Sequence, residues 1–248
     1  MSNDATSDSA PARRKAGRPS TTVLTRERIL DEAFELADRR GGDFSVAAIA
    51  RGLGVQPPAI YNYFASKADI ISGMRGAIGH RVDPTVFERM PWHEAVLPWA
   101  RDYLEAVGHH PGIIATLATI PVDSEPQSMR EYEMIANSFR RDNYPEHRIV
   151  PALVAIESFI IGSALDALTP EDNLSPAAVP DLAPALFNAE ATARSNAHDA
   201  GLTMARSVFE FGLAALVAGL RAVGEAEGAA ADATQSAAAA ESEAAKKA

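Results

Sequence analysis

The sequence predicts an all-α protein in two unequal parts, and three observations carry that prediction. Apolar residues fill 47% of the 248 positions and aromatics only 6%, a balance rich in alanine and leucine that favours packed helices over sheets. Apolar side chains recur at helical spacing through most of the chain. Serine, threonine, glycine and proline fall where those stretches should begin and end.

Residues 1–23 are polar and basic, and Arg13, Arg14, Lys15 and Arg18 around Gly17 and Pro19 predict a flexible cationic arm. Thr25 opens a helical pattern with Ile29, Leu30, Ala33, Phe34, Leu36 and Ala37 near one face, ended by Gly41 and Gly42. Ser45 can cap a short second helix from Val46 to Gly52, which Gly54 breaks. Pro57 and Pro58 suit the first turn of a third helix, where a missing N–H costs little, and that helix should run to about Phe64. Ser66 caps a fourth, with Asp69 completing a variant of the capping box. Further helices are expected near 91–109, 112–119, 127–142, 146–168 and 202–222, with Pro98 and Pro151 kinking two of them or marking an offset start. Residues 169–200, rich in Pro, Asn, Asp and Ala, predict a loop with a short helical piece. The tail from 224 to 248 holds twelve alanines and no large apolar residue, so it has nothing to bury and should fray or be disordered.

Charge divides the chain in the same way. The net charge is −10, yet residues 1–67 hold ten Lys/Arg against eight Asp/Glu, and residues 68–248 hold thirteen against twenty-five. A basic entry segment before an acidic body suits a protein whose N-terminus meets phosphate. The absence of cysteine excludes disulfides, thiolate metal sites and a cysteine nucleophile. The first ten residues carry no apolar run, so no secretory signal is expected, and a cytoplasmic location is.

Two stretches are apolar on nearly all sides. Ile149–Leu165 carries the single charge Glu157, and Val208–Leu220 only Glu210. Each run is shorter than about 18 residues and contains an acid, which argues against a membrane span. Burial between a core on one side and a second subunit on the other explains both, and a large monomeric core is the alternative. Gly162, Ser163 and Ala164, and Gly212, Ala214, Ala215, Ala218 and Gly219, would let such helices approach closely.

The block from Ser45 to Lys67 has the pattern of a helix-turn-helix. Two helices crossing through a tight turn need a small residue at their contact, a glycine at the turn and apolar residues to fix the angle. Ala50 is the small residue, Gly54 follows four positions later, and Ile49, Leu53, Val55, Ile60 and Tyr63 are the apolar set. Here the chain resembles the tetracycline-repressor (TetR) family. The resemblance rests on Ile29-Leu30, Gly41/Gly42 before Phe44-Ser45, Ile49-Ala50, Leu53-Gly54-Val55, Tyr61, Tyr63-Phe64 and Ser66-Lys67, and covers about residues 24–75. It extends more weakly to Phe209–Leu213, which looks like the family's last dimerisation helix.

The resemblance implies an all-helical homodimer that binds double-stranded DNA through an N-terminal reading head, residues 24–70, and encloses a small-molecule effector in a ligand-binding and dimerisation domain, residues 71–223. Gln56, Pro57, Ala59, Tyr61 and Asn62 would then enter the major groove, where Asn62 and Gln56 offer paired donors and acceptors to base edges. Ser45, Tyr61, Tyr63 and Lys67 suit phosphates, with favourable helix N-termini at Ser45 and Ser66, although the Tyr63 ring can equally pack within the head. Arg18 and its neighbours would follow the backbone or enter a minor groove. Dimerisation is expected through the 146–168 and 202–222 helices, with no membrane association.

For the effector, Trp92, Trp99 and Tyr103 align along one helix and Met129, Tyr132 and Phe139 along another. Such stripes are commonly core, but the resemblance places them beside a ligand cavity, with Phe159 as a further wall and an apolar or aromatic ligand as the expected occupant. The family's namesake holds magnesium through a histidine in a segment resembling Pro111–Leu117. Thr116 there is a poor substitute for imidazole, and Asp166, where an acid would order the metal's waters, makes no metal site alone. His109 and His110 point about 100° apart on a helix and cannot chelate from one face. Neither metal nor cofactor is expected. A repressor released from a near-palindromic operator leads the readings, and an activator or ligand-independent regulator is the alternative within the family. A helical carrier or enzyme is the alternative outside it, although no catalytic constellation appears.

Overall fold

The computed structural model describes residues 23–117, 126–170 and 174–247, with side chains as far as residue 229. The basic arm, Arg18 included, lies outside the described residues. Among the described residues every regular element is helical.

The head is built by its caps. In α1 (Arg26–Arg40) the Thr25 side chain accepts from the Arg28 N–H, and the helix stops at Gly41, which adopts a left-handed φ of 63°. Ser45 accepts from Ala48 to open α2 (Val46–Gly52), and Gly54, at φ 67°, makes the turn into α3 (Pro57–Tyr61). Regular helix ends at Tyr61, short of the expected Phe64, though the Phe64 N–H still reaches the Ile60 carbonyl at 3.1 Å. Ser66 accepts from Asp69 to open α4 (Lys67–Gly79), while the Asp69 carboxylate takes the Ala65 N–H at 2.9 Å. Ile29, Ile49, Ala50, Ile60 and Phe64 close the head's core.

α4 leaves this core and enters the body, packing on α1 at one end and on α6 (Trp92–Gly108) and α8 (Pro126–Arg141) further along. Between α4 and α6 lies the single turn α5 (Val86–Arg89). A 3-10 turn, Pro111–Ile113, and α7 (Ile114–Leu117) follow α6. His109 follows α6 as its C-cap residue, and His110 precedes the 3-10 turn. The body's centre is formed by α6, α9 (Glu146–Asp166) and α11 (Met204–Lys247), with α10 (Pro184–Asp199) against α11. Trp92 stacks on Phe139 at 4.3 Å and meets Tyr144 edge-on at 5.2 Å, joining α6 to the end of α8. Asp142 accepts the Trp92 N–H at 2.6 Å, and Arg141 donates to the carbonyls of Phe87 and Met90, so the α8 terminus also caps the start of α6.

α6 and α9 lie where they were expected, while two later stretches differ from expectation. Pro98 and Pro151 lie inside α6 and α9, and both helices continue past them; each proline sits early in its helix and removes a single backbone bond. α10 replaces a long loop with sixteen residues of helix, of which only Ala197 is buried. The segment after residue 223 continues α11 to Lys247. Alanine is the strongest helix former, and the first turns of this extension are anchored. Gly224 lies so close to the Tyr144 ring that a Cβ would come within 2.5 Å of it, and Glu227 pairs with Arg148 at 2.6 Å and His147 at 3.0 Å.

Glu146–Asp166 and Met204–Ala229 are long and apolar enough to cross a membrane by length and composition. One side of each packs into the body, where Ile149, Ile156 and Ile160 of α9 and Phe209 and Leu213 of α11 are buried, while Val150, Val154, Val208 and Phe211 are exposed.

Candidate nucleic-acid interface and effector cavity

The turn at Gly54 leaves one face of the head open. Ile60 is fully buried and fixes α3 on α2, so the residues on its other side point outward: Gln56, Tyr61 and Asn62 are exposed, and Pro57 and Ala59 are half-buried. Asn62 directly follows α3 as its C-cap residue. Arg26 of α1 donates to the Tyr63 carbonyl and lies 4.0 Å from the Phe64 ring centre, pinning the end of α3 to the first helix. Ser45 is exposed at the start of α2. Lys67, at the start of α4, lies 3.6 Å from Asp43 and 4.8 Å from the Phe44 ring centre, with its side chain 44% exposed. Tyr63 takes the packed arrangement that was one of its two expected placements. Its hydroxyl donates its one hydrogen to the Leu24 carbonyl at 2.7 Å, and its half-buried ring packs against the head's core.

In the body, a cavity of about 40 Å³ opens between four helices. Arg75 and Gly79 border it from α4, Trp99 and Tyr103 from α6, and Glu157 from α9. α8 contributes Ser128, Glu131, Tyr132 and Ile135. The rings of Trp99 and Tyr103 stand 5.4 Å apart. The Tyr132 hydroxyl donates to Glu157 Oε1, and Arg75 donates to the Leu117 carbonyl. Burial, more than any neighbouring charge, pushes the Tyr103 and Tyr132 hydroxyls up, with Glu157 adding to the effect, so both remain hydrogen-bond donors at neutral pH. Burial also raises the Glu157 carboxyl, against the pull of the Tyr132 hydrogen bond and of Arg75.

The sequence-chosen ligand residues therefore separate. Trp99, Tyr103 and Tyr132 meet at this cavity. Met129 is 48% exposed and lies outside it. Thr116 is at the seam between head and body, 3.3 Å from where a Cβ on Gly42 would stand. Phe159 stacks on Phe209 at 5.6 Å, and a Cβ on Gly212 would come within 2.7 Å of its ring, so it joins α9 to α11. Asp166 borders a second, largely apolar hollow of about 610 Å³ between the ends of α9, α10 and α11. Arg75, Glu131 and Glu157 were missed. Glu157 alone had announced itself, as the only charge in an apolar run.

A second junction ties head to body. Asp38 of α1 accepts the Gly112 N–H at 2.9 Å and lies 3.3 Å from His110, whose ring stacks on Phe34 at 3.9 Å. A Cβ on Gly112 would come within 2.3 Å of the Ala37 carbonyl oxygen, so the 3-10 turn and α1 meet backbone to backbone.

Comparison with known proteins agrees with this architecture. Residues 29–74 match the family model of bacterial regulatory proteins of the tetR family, and residues 88–223 match the tetracyclin repressor-like C-terminal domain. No curated protein sequence matches the chain. Among solved structures, a possible TetR family transcriptional regulator from Streptomyces coelicolor is 25% identical, with a TM-score of 0.61 over 80% of this chain and 100% of its own. Apo ActR, also from Streptomyces coelicolor, is 20% identical, with a TM-score of 0.63 over 80% of this chain and 95% of its own. A TetR variant from Acinetobacter baumannii in complex with minocycline is 20% identical, with a TM-score of 0.57 over 81% and 95%. With a reading head and a body that both match, this chain belongs to the TetR family of transcriptional regulators.

Proposed function

We propose that the chain is a homodimeric repressor, released from a near-palindromic operator by a small ligand with an apolar or aromatic body. The observation that carries this reading is the path of α4. It begins in the head at Lys67, beside Asp43 and Phe44, and borders the effector cavity with Arg75 and Gly79. One rigid element thus belongs to both halves, and a ligand that prefers one placement of α4 shifts the population of head positions.

In this reading Gln56, Pro57, Ala59, Tyr61 and Asn62 of residues 24–70 meet base edges, while Ser45 and Lys67 fix the register on phosphate. Residues 71–223 hold the ligand and the second subunit. Support for the dimer comes from apolar side chains left uncovered along α9 and α11, with Val150, Val154, Val208 and Phe211 all exposed. Solved proteins of this fold in complex with minocycline or actinorhodin support a ligand-holding body.

Selection of bound fragments from random duplexes tests the reading directly. We expect a near-palindrome with half-sites about one helical turn, roughly 34–36 Å, apart. Recovery of unrelated sequences would overturn it. Titrating ligands into the preformed operator complex tests release, and a tightly bound ligand that leaves operator affinity unchanged would refute the coupling.

A further inference from the structure

We propose that the cavity between α4, α6, α8 and α9 selects a ligand whose aromatic body carries a positive charge, with Glu157 as the counter-charge and Trp99, Tyr103 and Tyr132 as the walls. This rests on the reading of the cavity as the effector site.

Glu157 accepts from the Tyr132 hydroxyl, a task that a neutral amide would perform without burying a charge. It is the only charged residue between Ile149 and Leu165, on a helix whose fully buried residues are all aliphatic, and it borders a cavity. A carboxylate withdrawn from water weakens the fold unless its charge is met, and replacing a buried charge by an apolar residue of similar volume commonly stabilises. The Tyr132 hydroxyl supplies one hydrogen bond to a group able to accept about four. The remaining capacity suits a donor that arrives with a charge of its own.

The other charges bordering the cavity point the same way. Two carboxylates, Glu131 and Glu157, stand against one guanidinium, Arg75, which donates to the Leu117 carbonyl. Glu131 accepts from Gln127 at 3.1 Å, within its own helix. An anionic ligand would bring a third negative charge into this space, whereas a cation brings the count to balance. Aromatic rings border the cavity from two helices, and their electron-rich faces attract a cation. A neutral ligand would leave two carboxylates facing one guanidinium in a drier site.

The test is calorimetric titration of the full-length protein with three probes sharing one ring system: 2-naphthylmethylammonium, 2-naphthylmethanol and 2-naphthoate. We expect the ammonium to bind at least tenfold more tightly than the alcohol, and the carboxylate most weakly. Glu157→Gln keeps an acceptor for Tyr132 and should remove the preference for the ammonium while leaving the alcohol within about twofold. Glu133→Gln, on an exposed position of α8, should leave the preference intact. No binding of the ammonium, equal affinity for the three probes, or a preference that survives Glu157→Gln overturns the proposal. Operator release is scored separately. Ammonium binding that leaves the operator complex intact keeps the ligand class and defeats the effector reading, whereas release by 2-naphthoate alone does the reverse.

Discussion

Asn62 and Lys67 lie five positions apart, yet the proposed function gives them different work. Asn62 follows the reading helix with its amide exposed, and Lys67 stands at the start of the next helix. Asn62→Ala should cost about 1–3 kcal/mol on the operator and relax selectivity at one position of each half-site. Lys67→Ala should weaken operator and random duplexes alike, and competition binding at fixed salt separates the two patterns. In the body, Glu157 and Glu210 are the lone acids of their apolar runs and take opposite pH signs. Burial holds Glu157 above the ordinary carboxylate range, so the folded chain binds its proton more tightly than the unfolded chain does. The stability this confers is present below the ordinary carboxylate value and is lost as pH rises through the raised one. Glu157→Gln should therefore melt higher than the parent near neutral pH, with the gap closing on acidification in a series of thermal scans. Glu210 is held low, first by hydrogen bonds from Arg101 at 2.7–3.0 Å, and its contribution is present above the ordinary value and lost as pH falls through the depressed one. Both acids were visible in the sequence as interruptions, but their fates depended on which neighbouring helix supplied a partner. Stripe reading had a related limit. Met129 and Phe139 are ten residues apart, which on a helix leaves them about 80° out of line, so one faces water and the other the core.

Helices with chemical punctuation were legible in the sequence. Thr25, Ser45 and Ser66 each accept the backbone N–H three residues on, and Gly41 and Gly54 take the left-handed conformations their positions required. α10 was not legible because nearly all of it is exposed and no apolar stripe marks it. The extension of α11 was misread because its anchors, Tyr144 and Arg148, are distant in sequence. The cavity required four helices to come together, and single-helix patterns could name only the aromatic share of it. The seam between α1 and the 3-10 turn was equally hidden, and it makes a sharp prediction. Gly112→Ala sets a methyl group against the Ala37 and Asp38 backbone, which cannot rotate away as a side chain would. We expect a loss of about 1–3 kcal/mol in urea unfolding, with the head's near-neighbour contacts to the body loosened. Unchanged stability would mean that head and body part more easily at this seam than their packing indicates.

At the scale of the whole molecule, the uncovered faces of α9 and α11 are the feature in need of a partner. Phe211 is 79% exposed within one subunit, so Phe211→Glu should leave the monomer folded. Truncating a central aromatic anchor commonly costs about 2 kcal/mol or more in an interface, and sedimentation should find the variant dissociating at concentrations where the parent is paired. Operator affinity should fall with it, since two linked heads bind far better than one. The cavity's own dimensions have a consequence in time. About 40 Å³ admits little more than a water molecule or two, whereas occupied small-molecule pockets span roughly 300–1,000 Å³. A ligand held here, as proposed, would have to wait for the helices to breathe apart, and stopped-flow mixing should then reveal an observed rate that climbs with ligand concentration only to a plateau. That plateau is the protein's own opening frequency, a clock set by the fold before any molecule arrives to be sensed.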